Sequence, residues 1–113
     1  MADDCLFCRI VRKEIPATLV AESDEYIAIR DIDPQAPVHV LVIPRAHVPT
    51  LNDADDAGLL GRLHIAAAEI AKAEGVSESG FRTVINTNRG AGQTVFHIHV
   101  HLLGGRPLSW PPG

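Results

Sequence analysis

With 113 residues and 46% hydrophobic side chains, the chain has the size and composition of one compact domain, although aromatics supply only 4%. A formal charge of −4 and a pI near 5.8 exclude a general nucleic-acid or membrane-surface binder, which needs a basic face. The acidic start MADDCLF lacks the basic and apolar regions of a signal peptide. No apolar run approaches the ~18 residues of a membrane span. The expectation is a single domain over residues 1–113, cytoplasmic, with both cysteines reduced.

In chain order, Asp3 or Asp4 caps a short helix over roughly Cys5 to Lys13, closed by Pro16, with Phe7, Ile10 and Val11 as its apolar face. LVAES and EYIAIRD read as two short strands joined at Ser23-Asp24. DIDPQAP is a loop, since two prolines and two aspartates bar a regular element. VHVLVIP, Val38 to Pro44, reads as a central strand, with Val38, Val40 and Val42 on one face and His39, Leu41 and Ile43 on the other. Asn52 or Asp53 then caps one long helix, roughly Asp55 to Glu74, which Gly75 ends. Its stripe of Leu59, Leu63, Ala66, Ile70 and Ala73 belongs in a core or an interface, while His64 reads as a surface residue. FRTVINTN is a further strand, GAGQTVF a glycine-rich turn, and GGRPLSWPPG a tail too rich in Gly and Pro for an element. The order predicts an α+β fold with a mainly antiparallel sheet, one short helix and one long one.

The densest chemistry lies in HIHVHLL, His97 to Leu103. As a strand, it sets His97, His99 and His101 in one row and Ile98, Val100 and Leu102 on the opposite, core side. A middle imidazole then has a neighbour on each side at about 6.5–7 Å. The preceding Gly90 and Gly92 let backbone N–H groups approach an anion, and neutral imidazole is a usable nucleophile near pH 7. Together they point to chemistry at phosphate.

HIHVHLL resembles the His-φ-His-φ-His-φ-φ motif of the histidine triad (HIT) superfamily, where φ is apolar. CLFCRIVRKEIPA, DIDPQAPVHVLVIPRAH and GGRPLSWPPG are similar to matching segments of its nucleotide-binding, Hint-like branch. The resemblance implies a HIT-like fold in which two protomers join their sheets and long helices into a homodimer. It implies a purine nucleoside phosphoramidase that cleaves the P–N bond of adenosine or guanosine 5′-phosphoramidates. The implied nucleophile is His99, with His101 against the phosphate and His97 orienting the row. Among the other positions, it places Gly92, Gln93 and Thr94 at the phosphate; many relatives carry Ser where this chain has Thr94. Asp31 and Ile32 match the loop that holds the ribose, where a carboxylate can accept both sugar hydroxyls. Phe7, Ile10, Ile15 and Leu41 wall the base, and Asn86 and His39 match positions near the nucleotide. Trp110 belongs to a tail placed near the neighbouring protomer's site. Catalysis requires no cofactor by the same resemblance, and the implied partners are small purine nucleotides and a second copy, not nucleic acid or membrane.

Cys5 and Cys8 have the C-x-x-C spacing of zinc ligands and share one helix face. His47 and His97 are the candidates to complete the set, as in some superfamily branches; other Hint-like relatives lack the cysteines, so two buried reduced thiols are the alternative. Two other functions compete with the phosphoramidase: a dinucleoside polyphosphate hydrolase and a nucleotide-binding scaffold with little catalysis.

Overall fold

The structure, a computed structural model, describes residues 4–113. Five strands form one antiparallel sheet: β1 (Leu19–Glu22), β2 (Tyr26–Arg30), β3 (Val38–Pro44), β4 (Phe81–Val84) and β5 (Val100–Gly104), in spatial order β1-β2-β3-β5-β4. The fold is thus the expected α+β, with β3 at the centre over the predicted span and every one of its residues buried. Its alternation divides the core in two. Val38, Val40 and Val42 meet Leu63, Ala66, Ala67 and Ile70 of the long helix α2 (Ala57–Ala73), whereas Leu41 and Ile43 meet Phe7 of the short helix α1 (Leu6–Val11) on the other face. Among the described residues no helix is long and apolar enough to cross a membrane.

Several local expectations give way to physical detail. The α1 helix is capped by Cys5, whose sulfur accepts the Cys8 N–H at 3.4 Å, rather than by an aspartate; Asp3 lies outside the described residues. It stops at Val11 because Lys13 takes a left-handed φ of 63°, which lets the Glu14 N–H donate back to the Arg9 carbonyl. Asn52 and Asp53 do not cap α2 but are spent in a single 3₁₀ turn, Leu51–Asp53, that Thr50 caps, and Asp56 caps α2 through the Leu59 N–H at 3.0 Å. Gly75, at φ 78°, ends α2 as expected, but Ala73 is exposed and Ala71 takes its place in the core.

The largest departure concerns the histidine stretch. Strand β5 begins only at Val100, so His97 and His99 precede it in irregular chain. Continuing the β3–β5 register past Val42↔Val100 would set Ile98 opposite Pro44. Pro44 has no N–H to donate, and its carbonyl accepts the His97 imidazole N–H instead. The Ile98 N–H turns away to the Val48 carbonyl at 2.7 Å. With no β5 beside it, β4 also ends early, at Val84, and Ile85–Asn88 leave the sheet. The alternation nonetheless survives: Val100 and Leu102 stay in the α2-side core, while Phe7 of the α1 side packs edge-on against both His97 and His99.

Candidate active site and metal-ligand cluster

Five imidazoles and Phe7 line up across the α1 side of the sheet. Ring centroids are 5.0 Å apart for His47–His97, 4.8 Å for His99–His101 and 5.2 Å for His101–His39, and Phe7 bridges His97 and His99 at 5.9 and 4.9 Å. The row foreseen from three residues is therefore longer, and it is sunk in the protein: His97 is fully buried and His99 only 9% exposed.

Burial favours the neutral form of four of these rings, His39, His97, His99 and His101. It pushes His97 and His101 down to about 4, and lowers His99 and His39 as well, although the Asp31 carboxylate opposes the shift at His39, His99 and His101. A neutral imidazole carries one proton, and here backbone groups choose its place. The Pro44 carbonyl can only accept, so His97 Nε2–H donates to it at 2.7 Å and Nδ1 is left with a lone pair. The His97 carbonyl accepts from His99 Nδ1–H at 2.8 Å, which leaves His99 Nε2 unprotonated. The Gln35 N–H donates to His39 Nδ1 at 3.0 Å, so His39 Nε2–H donates to His101 Nδ1 at 2.9 Å and the His101 proton sits on Nε2.

His97 Nδ1 points into a cluster with Cys5 Sγ at 3.3 Å, Cys8 Sγ at 3.5 Å and His47 Nδ1 at 3.2 Å; Cys8 Sγ and His47 Nδ1 are 3.2 Å apart. All four donor atoms lie within 4.8 Å of one another. Tetrahedral bonds of 2.0–2.3 Å require donor separations of ~3.3–3.8 Å. The set fits a thiolate–imidazole metal site, and the Pro44 carbonyl supplies the second hydrogen bond that a metal-ligating histidine normally makes. A second group, Asp31, His39 and His101, also converges, but it fails the same test. A metal on His39 Nε2 would move the proton to Nδ1, directly against the Gln35 N–H.

Beside His99 and His101 opens a cavity of about 290 Å³. It brings together Phe7, Ile10, Asp31, Ile32, Leu41, Asn86, Gly92, Gln93 and Thr94, all expected from the sequence. Leu6, Ile29, Arg30 and Val95 also line it and were not foreseen; the alternation of β2 carried the signal for Ile29 alone. His39 stands behind His101, and Ile15 lines a neighbouring cavity of about 230 Å³ that shares Ile10 and Ile29. Trp110, 80% exposed, lines neither; it lies beneath the Arg82 guanidinium, 5.9 Å from the ring centre. Ile32 is fully exposed at the mouth of the larger cavity.

Gln93 lines the cavity, and its side chain is already bonded within the protein: Oε1 accepts the Asn88 N–H, and Nε2 donates to the Pro49 and Val95 carbonyls. Its backbone N–H is bonded to the Asn88 carbonyl. The backbone N–H groups of Thr94 and Val95, in contrast, have no partner among the described residues.

The HIT domain family matches residues 12–108. The chain is 52% identical over 111 residues to the purine nucleoside phosphoramidase of Escherichia coli K12, covering 96% of this chain and 93% of that protein. It superposes on a HIT family hydrolase of Legionella pneumophila with a TM-score of 0.95 at 54% identity, over 97% of this chain and 100% of that one. A HIT family hydrolase of Clostridium thermocellum gives a TM-score of 0.92 at 43% identity, over 95% of both chains.

The buried neutral state of His101 has a consequence for stability. Its pKa is lowered on folding, so the unfolded chain binds more protons between pH ~6.5 and the folded value of about 4, and stability falls as pH drops through that window. Between pH 7 and pH 5, denaturant unfolding of His101→Gln should show a loss smaller than that of the wild type by about 2 kcal/mol. Equal losses would contradict the buried neutral ring.

Proposed function

The chain belongs to the HIT domain family, and from that premise we propose that it is a purine nucleoside phosphoramidase. The observation that carries this reading is the 2.8 Å hydrogen bond from His99 Nδ1 to the His97 carbonyl, which leaves Nε2 as an unprotonated nucleophile on a cavity of nucleotide size. Residues 1–113 act as one HIT domain on small purine nucleotides.

In this mechanism the base lies against Phe7, Ile10, Ile29 and Leu41, and Asp31 receives the ribose hydroxyls. The Thr94 and Val95 N–H groups, the Thr94 hydroxyl and His101 Nε2–H surround the phosphate and stabilise charge that grows on its oxygens. His99 Nε2 bonds to phosphorus as the P–N bond breaks. The departing amine needs one proton, for which Thr94 and His101 are the adjacent carriers. Water then attacks phosphorus as the P–Nε2 bond breaks; one of its protons returns to the carrier that protonated the amine, the other leaves with the nucleoside monophosphate, and His99 is again a neutral imidazole.

Cys5, Cys8, His47 and His97 would hold zinc, whose contribution is structural because four protein ligands leave no open position. The assembly belongs to the same proposal. β4 is an edge strand, Phe81 and Ile65 expose 36% and 62% of their surface, and the Arg82–Ser109 hydrogen bond ties the tail to that edge. A second copy that pairs across β4 would cover it and carry Trp110 toward its partner's cavity. A cytoplasmic setting suits the two reduced thiols.

Wild-type protein should turn over a fluorogenic adenosine 5′-phosphoramidate, and His99→Ala should lower kcat by roughly a thousandfold or more. An inactive wild type would refute the phosphoramidase. Metal analysis of the purified protein should find one zinc per chain, lost in the Cys5→Ser/Cys8→Ser double variant; a metal-free wild type that binds no added zinc would refute the site.

A further inference from the structure

In the glycine-rich loop one side-chain amide is bonded entirely to the protein's own backbone. Building on the phosphate reading above, we infer that Gln93 is a positioning residue, a brace that holds the Thr94 and Val95 N–H groups in place. Only 4% of Gln93 is exposed, and its amide spans three backbone segments. Oε1 accepts the Asn88 N–H at 2.7 Å while the Gln93 N–H donates to the Asn88 carbonyl at 3.1 Å, closing residues 88–93 into a ring.

That ring contains a 3₁₀ turn, Arg89–Ala91, with a left-handed residue at each end: Asn88 at φ 67° and Gly92 at φ 91°. Asn88 pays a conformational penalty there, and its side chain makes no capping bond, so the Gln93 amide is what anchors its N–H. Nε2 then donates to the Val95 carbonyl at 3.1 Å, fixing the peptide just after the two free N–H groups, and to the Pro49 carbonyl at 2.8 Å. Pro49 follows Val48, whose carbonyl receives the Ile98 N–H. Gln93 thus fastens the loop to the same stretch that fixes the backbone between His97 and His99. Every N–H of Gln93 is committed before a ligand arrives.

Two arms test this in the full-length protein. By NMR, the Gln93 side-chain NH₂ protons of the wild type should exchange slowly without ligand and keep their shifts when adenosine 5′-monophosphate is added. Rapid exchange, or a large shift on ligand addition, would overturn the brace and make Gln93 a contact residue. In Gln93→Ala, calorimetry should show affinity for adenosine 5′-monophosphate down by about tenfold and affinity for adenosine changed less than about twofold, with Asn88 amide exchange at least ~10-fold faster. Equal losses for both ligands would overturn the positioning role in favour of a purely structural one. A wild type that binds the two ligands equally would overturn it together with the phosphate reading, while the exchange data still judge the brace itself. If Gln93→Ala does not fold, the wild-type arm decides.

Discussion

The site rests on the hydrogen bond from His97 Nε2 to the Pro44 carbonyl, 2.7 Å long and fully buried. A proline at the end of the central strand makes it available, because that carbonyl has no β5 N–H to receive and the sheet stops pairing there. The bond decides which His97 nitrogen keeps a lone pair and turns that nitrogen toward Cys5, Cys8 and His47. It also sets the His97 backbone so that its carbonyl receives the His99 proton. One interaction therefore sets both the geometry of the Cys5, Cys8, His47 and His97 cluster and the free nitrogen of His99.

The same logic runs outward from His97. Backbone groups fix the tautomers of His97, His99 and His39, at Pro44, at the His97 carbonyl and at the Gln35 N–H; His39 passes the choice on to His101, and burial keeps these four rings neutral so that each assignment holds near pH 7. It also separates the two convergent clusters. His97 presents a lone pair to its neighbours and can ligate; His39 presents a proton and positions His101 instead. The six-residue helix α1 joins these functions, with Cys5 as its cap, Cys8 in the cluster and Phe7 against His97 and His99. In water such a helix would be marginal, so its order comes from these contacts.

Much of this was legible in residue order. The run VHVLVIP marked the central strand to the residue, because β-branched side chains buried on both faces leave little ambiguity. Gly75 and the Leu63–Ile70 stripe located the long helix. Asp31, Thr94, Phe7, Ile10 and Leu41, singled out through the motif resemblance, line one cavity with His99 and His101. What escaped was set by competition between polar groups. Four cap candidates stand between Asn52 and Asp56, and only packing selects Asp56. HIHVHLL alternates perfectly yet is half irregular, because its partner strand ends in proline. The bonding of the Gln93 amide was equally hidden, because its partners are an N–H and carbonyls that the linear motif does not mark.

The central claim is that His99 is held as its Nδ1–H tautomer, with Nε2 bare. Two-dimensional ¹⁵N NMR of the imidazoles at pH 7.5 reads this directly in the wild type. The structure predicts a protonated Nδ1 hydrogen-bonded to the His97 carbonyl and an unprotonated Nε2. A His99 that carries its proton on Nε2, or on both nitrogens, would contradict the account, because the proposed attacking nitrogen would have no lone pair to offer.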